Sequence, residues 1–290
     1  MRCLLSDAIG GHCFHGVAFV TVVLNKLPEL TGRTMTDETK KLAQTGPALT
    51  IGMVLFPGLT QLDLTGPYEV FSRLPGTKVC LVAGTLMPIQ SERGLMISAD
   101  ATFESAPALD VICVPGGPGV DSMMEDELLL QFLRERAPSA RYVTSVCTGA
   151  LVLGAAGLLR GYRATTHWLS HELLALFGAM PVNERVVIDR NRITGGGVTA
   201  GIDFGLTVAG EVFGTAVAHE IQLMLEYNPS PPFASGSPHS APKSVVRRVI
   251  DAREAAQSRR RAIAERAAAH LGFVQITTDF LTGNSRPLQR

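Results

Sequence analysis

A strand-forming run that stops at a cysteine and passes directly into a helix of small residues constrains this chain more than any other feature. Residues 141–153 read Arg-Tyr-Val-Thr-Ser-Val-Cys-Thr-Gly-Ala-Leu-Val-Leu. Tyr, Val and Thr favour a pleated strand up to Val146. The residues from Thr148 to Leu159 favour a helix that begins at once. Such a strand-to-helix turn is a nucleophile elbow, with Cys147 at its tip. Gly149 removes a side chain where the helix must pass close to the strand. A helix N-terminus carries unpaired N–H groups and partial positive charge. The Cys147 thiol is therefore expected to ionise more easily than an ordinary cysteine and to act as a nucleophile without a metal.

The rest of the chain from Leu49 alternates strands and helices. Strands are predicted at Leu49–Phe56, Lys78–Ala83, Asp110–Val114, Arg141–Val146, Arg163–Thr165, Arg185–Asp189 and Arg192–Thr194. A hairpin is expected from Met87–Gln90 and Leu95–Ala99 around Ser91–Gly94. Helices are predicted at Leu64–Leu74, with Pro67 in its first turn, and at Glu125–Arg136, Thr148–Leu159, Trp168–Phe177, Ala200–Phe213, Ala216–Tyr227 and Lys243–Leu271. This alternation predicts an α/β fold, a mostly parallel sheet with helices on both faces. In such sheets ligands bind at the carboxyl ends of the strands, where Cys147 lies.

Three segments are expected: an N-terminal extension over 1–48, a catalytic domain over 49–228, and a Pro-rich wrap with a C-terminal helix and tail over 229–290. The first segment lacks any strand or helix period. It reads either as a disordered extension or as a start-site artefact, with Met35 as the true start. The 26 Lys and Arg balance 26 Asp and Glu, which excludes broad electrostatic capture of nucleic acid or an anionic membrane. No apolar run approaches the ~20 residues of a membrane span. Five cysteines without regular spacing make a poor disulfide framework and fit reduced thiols in a cytoplasmic protein. Cys80 and Cys113, inside apolar strands, read as small buried hydrophobes.

Donors for developing negative charge are expected near the elbow. Gly116 and Gly117, in the turn Pro115–Gly119, can aim backbone amides at a ligand, and the Thr148 amide is a second source. After the first strand, Asp63 stands between Leu62 and Leu64. On local pattern it is either a helix cap or a buried functional acid. His167 and His171 stand four apart without an obvious third ligand, so no metal is expected. The basic pairs of the last helix are interspersed with Asp251, Glu254 and Glu265, which reads as a solvated face rather than a DNA-binding one.

Taken together, Phe56-Pro57, Asp63-Leu64-Thr65-Gly66-Pro67, Val114-Pro115-Gly116-Gly117, Ser145-Val146-Cys147-Thr148-Gly149-Ala150 and Thr194-Gly195-Gly196-Gly197 resemble the ThiJ/PfpI superfamily, also called class I glutamine-amidotransferase-like. The resemblance runs from about Leu49 to Tyr227. Within it, Gln61–Pro67, Tyr142–Gly149, Arg163–Trp168 and Gly201–Phe204 look most like the isocyanide-hydrating members. The resemblance implies a flavodoxin-like fold, a homodimer, no cofactor, and a lyase that hydrates an isocyanide to an N-substituted formamide. It assigns the nucleophile to Cys147 and the partner acid to Asp63. Thr148 is expected to hydrogen-bond the acid or the substrate, Val198 to line an apolar pocket, and His167 to border the site. Many members of the superfamily carry Glu at the acid position and His after the cysteine. Asp63 and Thr148 stand there instead, which argues against proteolysis. Two alternatives remain open at this point. One is a glyoxalase- or deglycase-like enzyme using the same cysteine. The other is an AraC-type regulatory domain, which needs a helix-turn-helix module that the Ala/Arg-rich stretch after Phe233 is poorly suited to build.

Overall fold

The structure, a computed structural model, describes residues 49–272. The chain divides into two units, 1–45 and 46–290, and the described residues all belong to the second. The expectations for the N-terminal extension and for the tail 273–290 lie outside the described residues.

β1 (Leu49–Val54) is central and runs parallel to β2 (Thr77–Ala83) on one side and β6 (Val111–Val114) on the other. β7 (Tyr142–Val146) continues beside β6, and β11 (Arg192–Gly195) beside β7, both parallel. β5 (Ala101–Thr102) closes one edge in parallel, and β10 (Val186–Asp189) closes the other antiparallel to β11. The seven strands thus run in the order β10-β11-β7-β6-β1-β2-β5. Both faces of the sheet are covered, so the inner strands are largely buried, and β6 is an unbroken apolar run with every residue buried. Two small pairs stand apart: the predicted hairpin, β3 (Ile89–Gln90) with β4 (Met96–Ile97), and β8 (Arg163–Ala164) with β9 (Met180–Pro181).

The chain leaves β1 toward β2 but leaves β6 toward β7, in the opposite direction. Right-handed crossovers therefore send the helices after these two strands to opposite faces. On one face lie α1 (Gln61–Phe71) and α5 (Ala200–Phe213). They meet closely because glycines line the contact. A Cβ on Gly201 would lie 3.0 Å from Pro67, and one on Gly205 would lie 3.0 Å from Val70. Phe71 and Phe204 pack edge to face beside them, with ring centroids 6.1 Å apart. The other face carries α2 (Val120–Met123), α3 (Glu127–Arg136), α4 (Gly149–Ala155) and the 3-10 helix η1 (Trp168–Phe177). α6 (Thr215–Met224) follows α5 after a break at Gly214, and α7 (Lys243–His270) closes the described chain.

Several boundaries differ from the sequence reading for identifiable reasons. α3 starts at Glu127, because the Asp126 carboxylate caps it by accepting from the Leu129 N–H at 3.0 Å. α1 starts three residues before Leu64, so Pro67 lies inside it and not in its first turn. Residues 168–177 are helical as predicted but wound as 3-10, between a cap by His167 and the left-handed Gly178. The two-residue strand β5 and the single-turn α2 are too short to leave a periodic signal.

η1 is seated by Phe177, which is fully buried against Gly154 of α4; a Cβ there would approach the Phe177 ring to 2.5 Å. Phe177→Ala is expected to cost about 3–5 kcal/mol of stability. Urea unfolding at pH 7 measures this, and an unchanged midpoint would show that η1 is not seated by this ring.

Candidate active site

The first βα turn, the loop after β6, the elbow after β7 and the triple glycine after β11 converge at the carboxyl edge of the sheet. Cys147 sits at their meeting point with φ of +55°, a left-handed conformation that a non-glycine residue adopts only under constraint. Three hydrogen bonds supply the constraint. The Cys147 N–H donates to the Gly195 and Gly196 carbonyls at 3.0 and 2.8 Å. Its carbonyl accepts from the Thr166 hydroxyl at 2.7 Å. Gly149 is required directly behind it, since a Cβ there would lie 2.1 Å from the Val114 carbonyl oxygen. The Cys147 side chain is almost wholly buried, at 4% exposure.

Asp63 occupies the first turn of α1 and is fully buried. It caps nothing there. Its Oδ2 instead accepts from the Gly116 N–H, 53 residues away in sequence, at 3.0 Å. Its Oδ1 lacks a partner of ordinary hydrogen-bond geometry. The Cys147 thiol lies close enough to the carboxyl to favour its ionised form. Burial pushes the Asp63 carboxyl up to about 7, against the opposing pull of the Cys147 and Gly116 hydrogen bonds and with help from the Glu92 charge. Glu92 reaches this turn from the β3–β4 hairpin, where it accepts from the Thr60 hydroxyl at 2.9 Å.

The thiol corrects one expectation. The helix tip was expected to lower it, but Cys147 is pushed well above the ordinary thiol range. Burial is the main cause, and the Asp63 charge is next; hydrogen bonds from the Thr148 amide and hydroxyl oppose them only in part. A thiolate beside an ionised Asp63 is therefore disfavoured. The two groups titrate as a pair, and the sulfur becomes anionic chiefly when the carboxyl holds the proton.

The loop amides are also engaged differently from the sequence reading. The Gly116 N–H serves Asp63. The Gly117 N–H donates to the Thr148 hydroxyl at 3.0 Å, and that hydroxyl lies 3.3 Å from the Gly117 carbonyl. Both amides expected to face a ligand are thus used within the protein, and the Thr148 hydroxyl binds the loop rather than the acid. Gly116 has no room for a side chain: a Cβ would lie 2.5 Å from the Thr148 nitrogen and 2.7 Å from Asp63 Oδ2.

Val198 is half-buried beyond the triple glycine and packs on the core. His167 lies across the same loop, where a Cβ on Gly197 would come within 3.3 Å of its ring. Its Nδ1 accepts from the Leu169 N–H at 3.3 Å. Burial, then the Arg260 and Arg253 charges, hold it below the ordinary imidazole value. His167 is therefore neutral at pH 7, with its proton on Nε2. Among the described residues no cluster of three or more His, Cys, Asp or Glu side chains can hold a metal. Cys80 and Cys113 are buried, and Cys113 is pushed up to about 12 by burial. The sequence reading did not single out Thr166, the Gly195 and Gly196 carbonyls or Glu92. Thr166 stood inside a noted string, but only the fold shows that it bonds the elbow.

Residues 50–211 match the model of the DJ-1/PfpI family. Over 226 residues the chain is 57% identical to an isonitrile hydratase of Pseudomonas putida, covering 78% of this chain and 99% of that protein. It is 32% identical over 188 residues to the transcriptional regulator GbdR of Pseudomonas aeruginosa, covering 61% of this chain and 50% of the regulator. Among solved structures, a ThiJ/PfpI family protein of Pseudomonas syringae superposes with a TM-score of 0.76 at 43% identity, covering 81% of this chain and 99% of that one.

Two outcomes follow from the geometry. Gly116→Ala is expected to leave a folded protein whose Cys147 reacts with iodoacetamide at a different rate from native; an unchanged rate would contradict the tight Gly116 contact. Asp63, with its value raised from 3.8 to about 7, destabilises the fold above pH 7, and that cost disappears as pH falls toward 4. Asp63→Asn keeps an acceptor for Gly116 and removes the charge. Its unfolding free energy relative to native, measured by urea titration, should therefore rise more at pH 8 than at pH 5, by a difference on the order of a few kcal/mol. Equal differences at both pH values would remove the buried charge from the account.

Proposed function

Because this chain belongs to the DJ-1/PfpI family, we propose that it is a hydratase of the lyase class that converts an isocyanide to an N-substituted formamide, with Cys147 as nucleophile and Asp63 as its proton partner. The observation that carries this reading is the pairing of an orphaned, buried Asp63 oxygen with a buried thiol at the elbow. The near-complete coverage of the Pseudomonas putida isonitrile hydratase supports the same chemistry.

The terminal carbon of an isocyanide accepts a soft nucleophile and must gain a proton as it does so. With the pair's proton on Asp63, the Cys147 sulfur attacks that carbon and a C–S bond forms. Asp63 gives its proton to the same carbon. The product is a thioimidate on Cys147, with Asp63 left as the carboxylate. A water molecule then loses a proton to Asp63 while its oxygen adds to the carbon, and Asp63 returns that proton to the substrate nitrogen. The C–S bond breaks with the electron pair on sulfur, the hydroxyl proton passes to Asp63, and the formamide leaves. The sum is one isocyanide plus one water, and the pair ends as it began.

The raised acidity range of Asp63 suits this cycle, because a carboxyl near 7 gives and takes a proton at similar cost. Val198 supplies apolar surface for the substrate's R group. The neutral His167, with its Nε2–H, supplies a hydrogen-bond donor at the border of the site. Thr148 and Gly117 hold the loop that carries Gly116, and through it Asp63. A homodimer is part of the reading; Leu223, Met224 and Phe233 expose apolar side chains that favour one. A cytoplasmic location belongs to the same reading. No described helix is long and apolar enough to cross a membrane. The regulatory alternative is disfavoured, since Lys243–His270 is one continuous helix and not the helix pair of a DNA-reading module.

The test is formamide formation from an aryl isocyanide by native protein, Cys147→Ala and Asp63→Asn, with methylglyoxal offered separately. Native protein should produce the formamide, and each variant should lose at least about a hundredfold in kcat/KM. Turnover of methylglyoxal alone would replace this reading with the glyoxalase one.

A further inference from the structure

Three charged residues are buried among the described residues: Asp63, Arg192 and Arg260. Asp63 belongs to the site. Arg192, at the opposite end of β11, donates to the Leu158 carbonyl and to the Asn191 side chain. Arg260 lies on α7, beyond the 50–211 stretch matched by the family model. The buried stripe of α7 is Arg260, Ala264, Ala267 and Ala268, spaced as one helix face. Alanines let the helix approach η1, α4 and α2 closely, and Arg260 is the one long side chain in that stripe.

Its bonds reach in two directions. Nε donates to Asp121 Oδ1 at 2.5 Å, and Nη1 donates to the Ser170 hydroxyl at 3.2 Å. The Ser170 hydroxyl donates in turn to Gln257 of the same helix at 3.1 Å. Asp121 stands in α2, directly after the Pro115–Gly119 loop whose Gly116 amide holds Asp63. Ser170 stands in the first turn of η1, directly after Thr166, whose hydroxyl holds the Cys147 carbonyl, and His167. One guanidinium thus joins the loop that hydrogen-bonds the acid to the segment that hydrogen-bonds the nucleophile's backbone. The two outer ion pairs of α7, Arg261–Glu172 and Arg266–Glu125, are well exposed and contribute little.

We infer that α7 is a brace for the reaction site and that Arg260 is the positioning residue through which it acts, fixing the Gly116 loop and the Thr166 segment relative to each other. An apolar residue would seat the helix without burying a charge. The fork of a guanidinium instead fixes two partners at set angles. The Arg260 and Arg253 charges also bear on His167, which places this face of α7 beside the border of the site. The inference rests on Cys147 and Asp63 being the reacting pair, and the test separates its failure from theirs.

The full-length chain is compared with Arg260→Met, Arg260→Lys and the double variant Arg260→Met/Asp121→Leu. The first readout is the rate of Cys147 alkylation by iodoacetamide, followed peptide by peptide in a mass spectrometer. Cys80 and Cys113 report unfolding in the same sample. The second readout is kcat and KM on the isocyanide. Arg260→Met is expected to change the Cys147 rate by about fivefold or more and to lower kcat by about tenfold or more, with KM nearly unchanged and Cys80 and Cys113 still protected. Arg260→Lys should recover part of the loss, and the double variant should regain the native thermal midpoint without regaining kcat. A Cys147 rate equal to native in Arg260→Met overturns the brace, as does a double variant that regains both midpoint and kcat. Where Arg260→Met exposes Cys80 or Cys113, the double variant decides. Without isocyanide turnover, the alkylation arm decides alone.

Discussion

A buried carboxyl set against a buried thiol is the constraint on which the rest of this site depends. Neither group ionises easily where it stands, because both are out of water. The Asp63 charge makes a thiolate more costly, whereas the neutral thiol helps the carboxyl ionise, so a carboxylate and a thiolate do not stand side by side. Everything around them fixes their relative position. The elbow holds the sulfur in a left-handed turn. The Gly116 amide holds one carboxyl oxygen and leaves the other free to exchange a proton.

The sheet explains why these groups meet. Parallel strands put their carboxyl ends on one edge, and the change of direction at β1 opens a crevice between helices on opposite faces. Residues 63, 116, 147 and 196 are far apart in the chain and arrive together only because β1, β6, β7 and β11 are neighbours. Glycines 116 and 149 are then compulsory, since backbone must pass where any Cβ would collide. The chain accepts a strained cysteine because its backbone N–H and carbonyl are both fully bonded.

Much of this is legible in the sequence alone. The α/β class followed from apolar strands alternating with helices, and Cys147 from a strand that ends without a turn sequence. The exposed hairpin was readable from its polar turn. What could not be read is instructive. Asp63 between two leucines looks like a cap; its partner is an amide 53 residues away, and no local pattern encodes that bond. The helix tip at Cys147 pointed to an easily ionised thiol, because proximity to a dipole is visible in sequence and burial beside a carboxylate is not. The glycines of the Pro115–Gly119 loop were read as ligand donors, yet their amides hold Asp63 and Thr148. α7 read as a solvated amphipathic helix; only contact with α2 and η1 distinguishes Arg260 from the arginines around it.

The most direct test of this pairing is vibrational. The infrared difference spectrum of native protein minus Asp63→Asn isolates the Asp63 carboxyl. A protonated carboxyl band should be present at pH 5 to 6 and should disappear as the pH is raised through about 7. Cys147→Ala, which removes the hydrogen bond that favours the ionised form, should move that disappearance to higher pH. A carboxylate already ionised at pH 5 would contradict the account, because the acid would then have no proton to give.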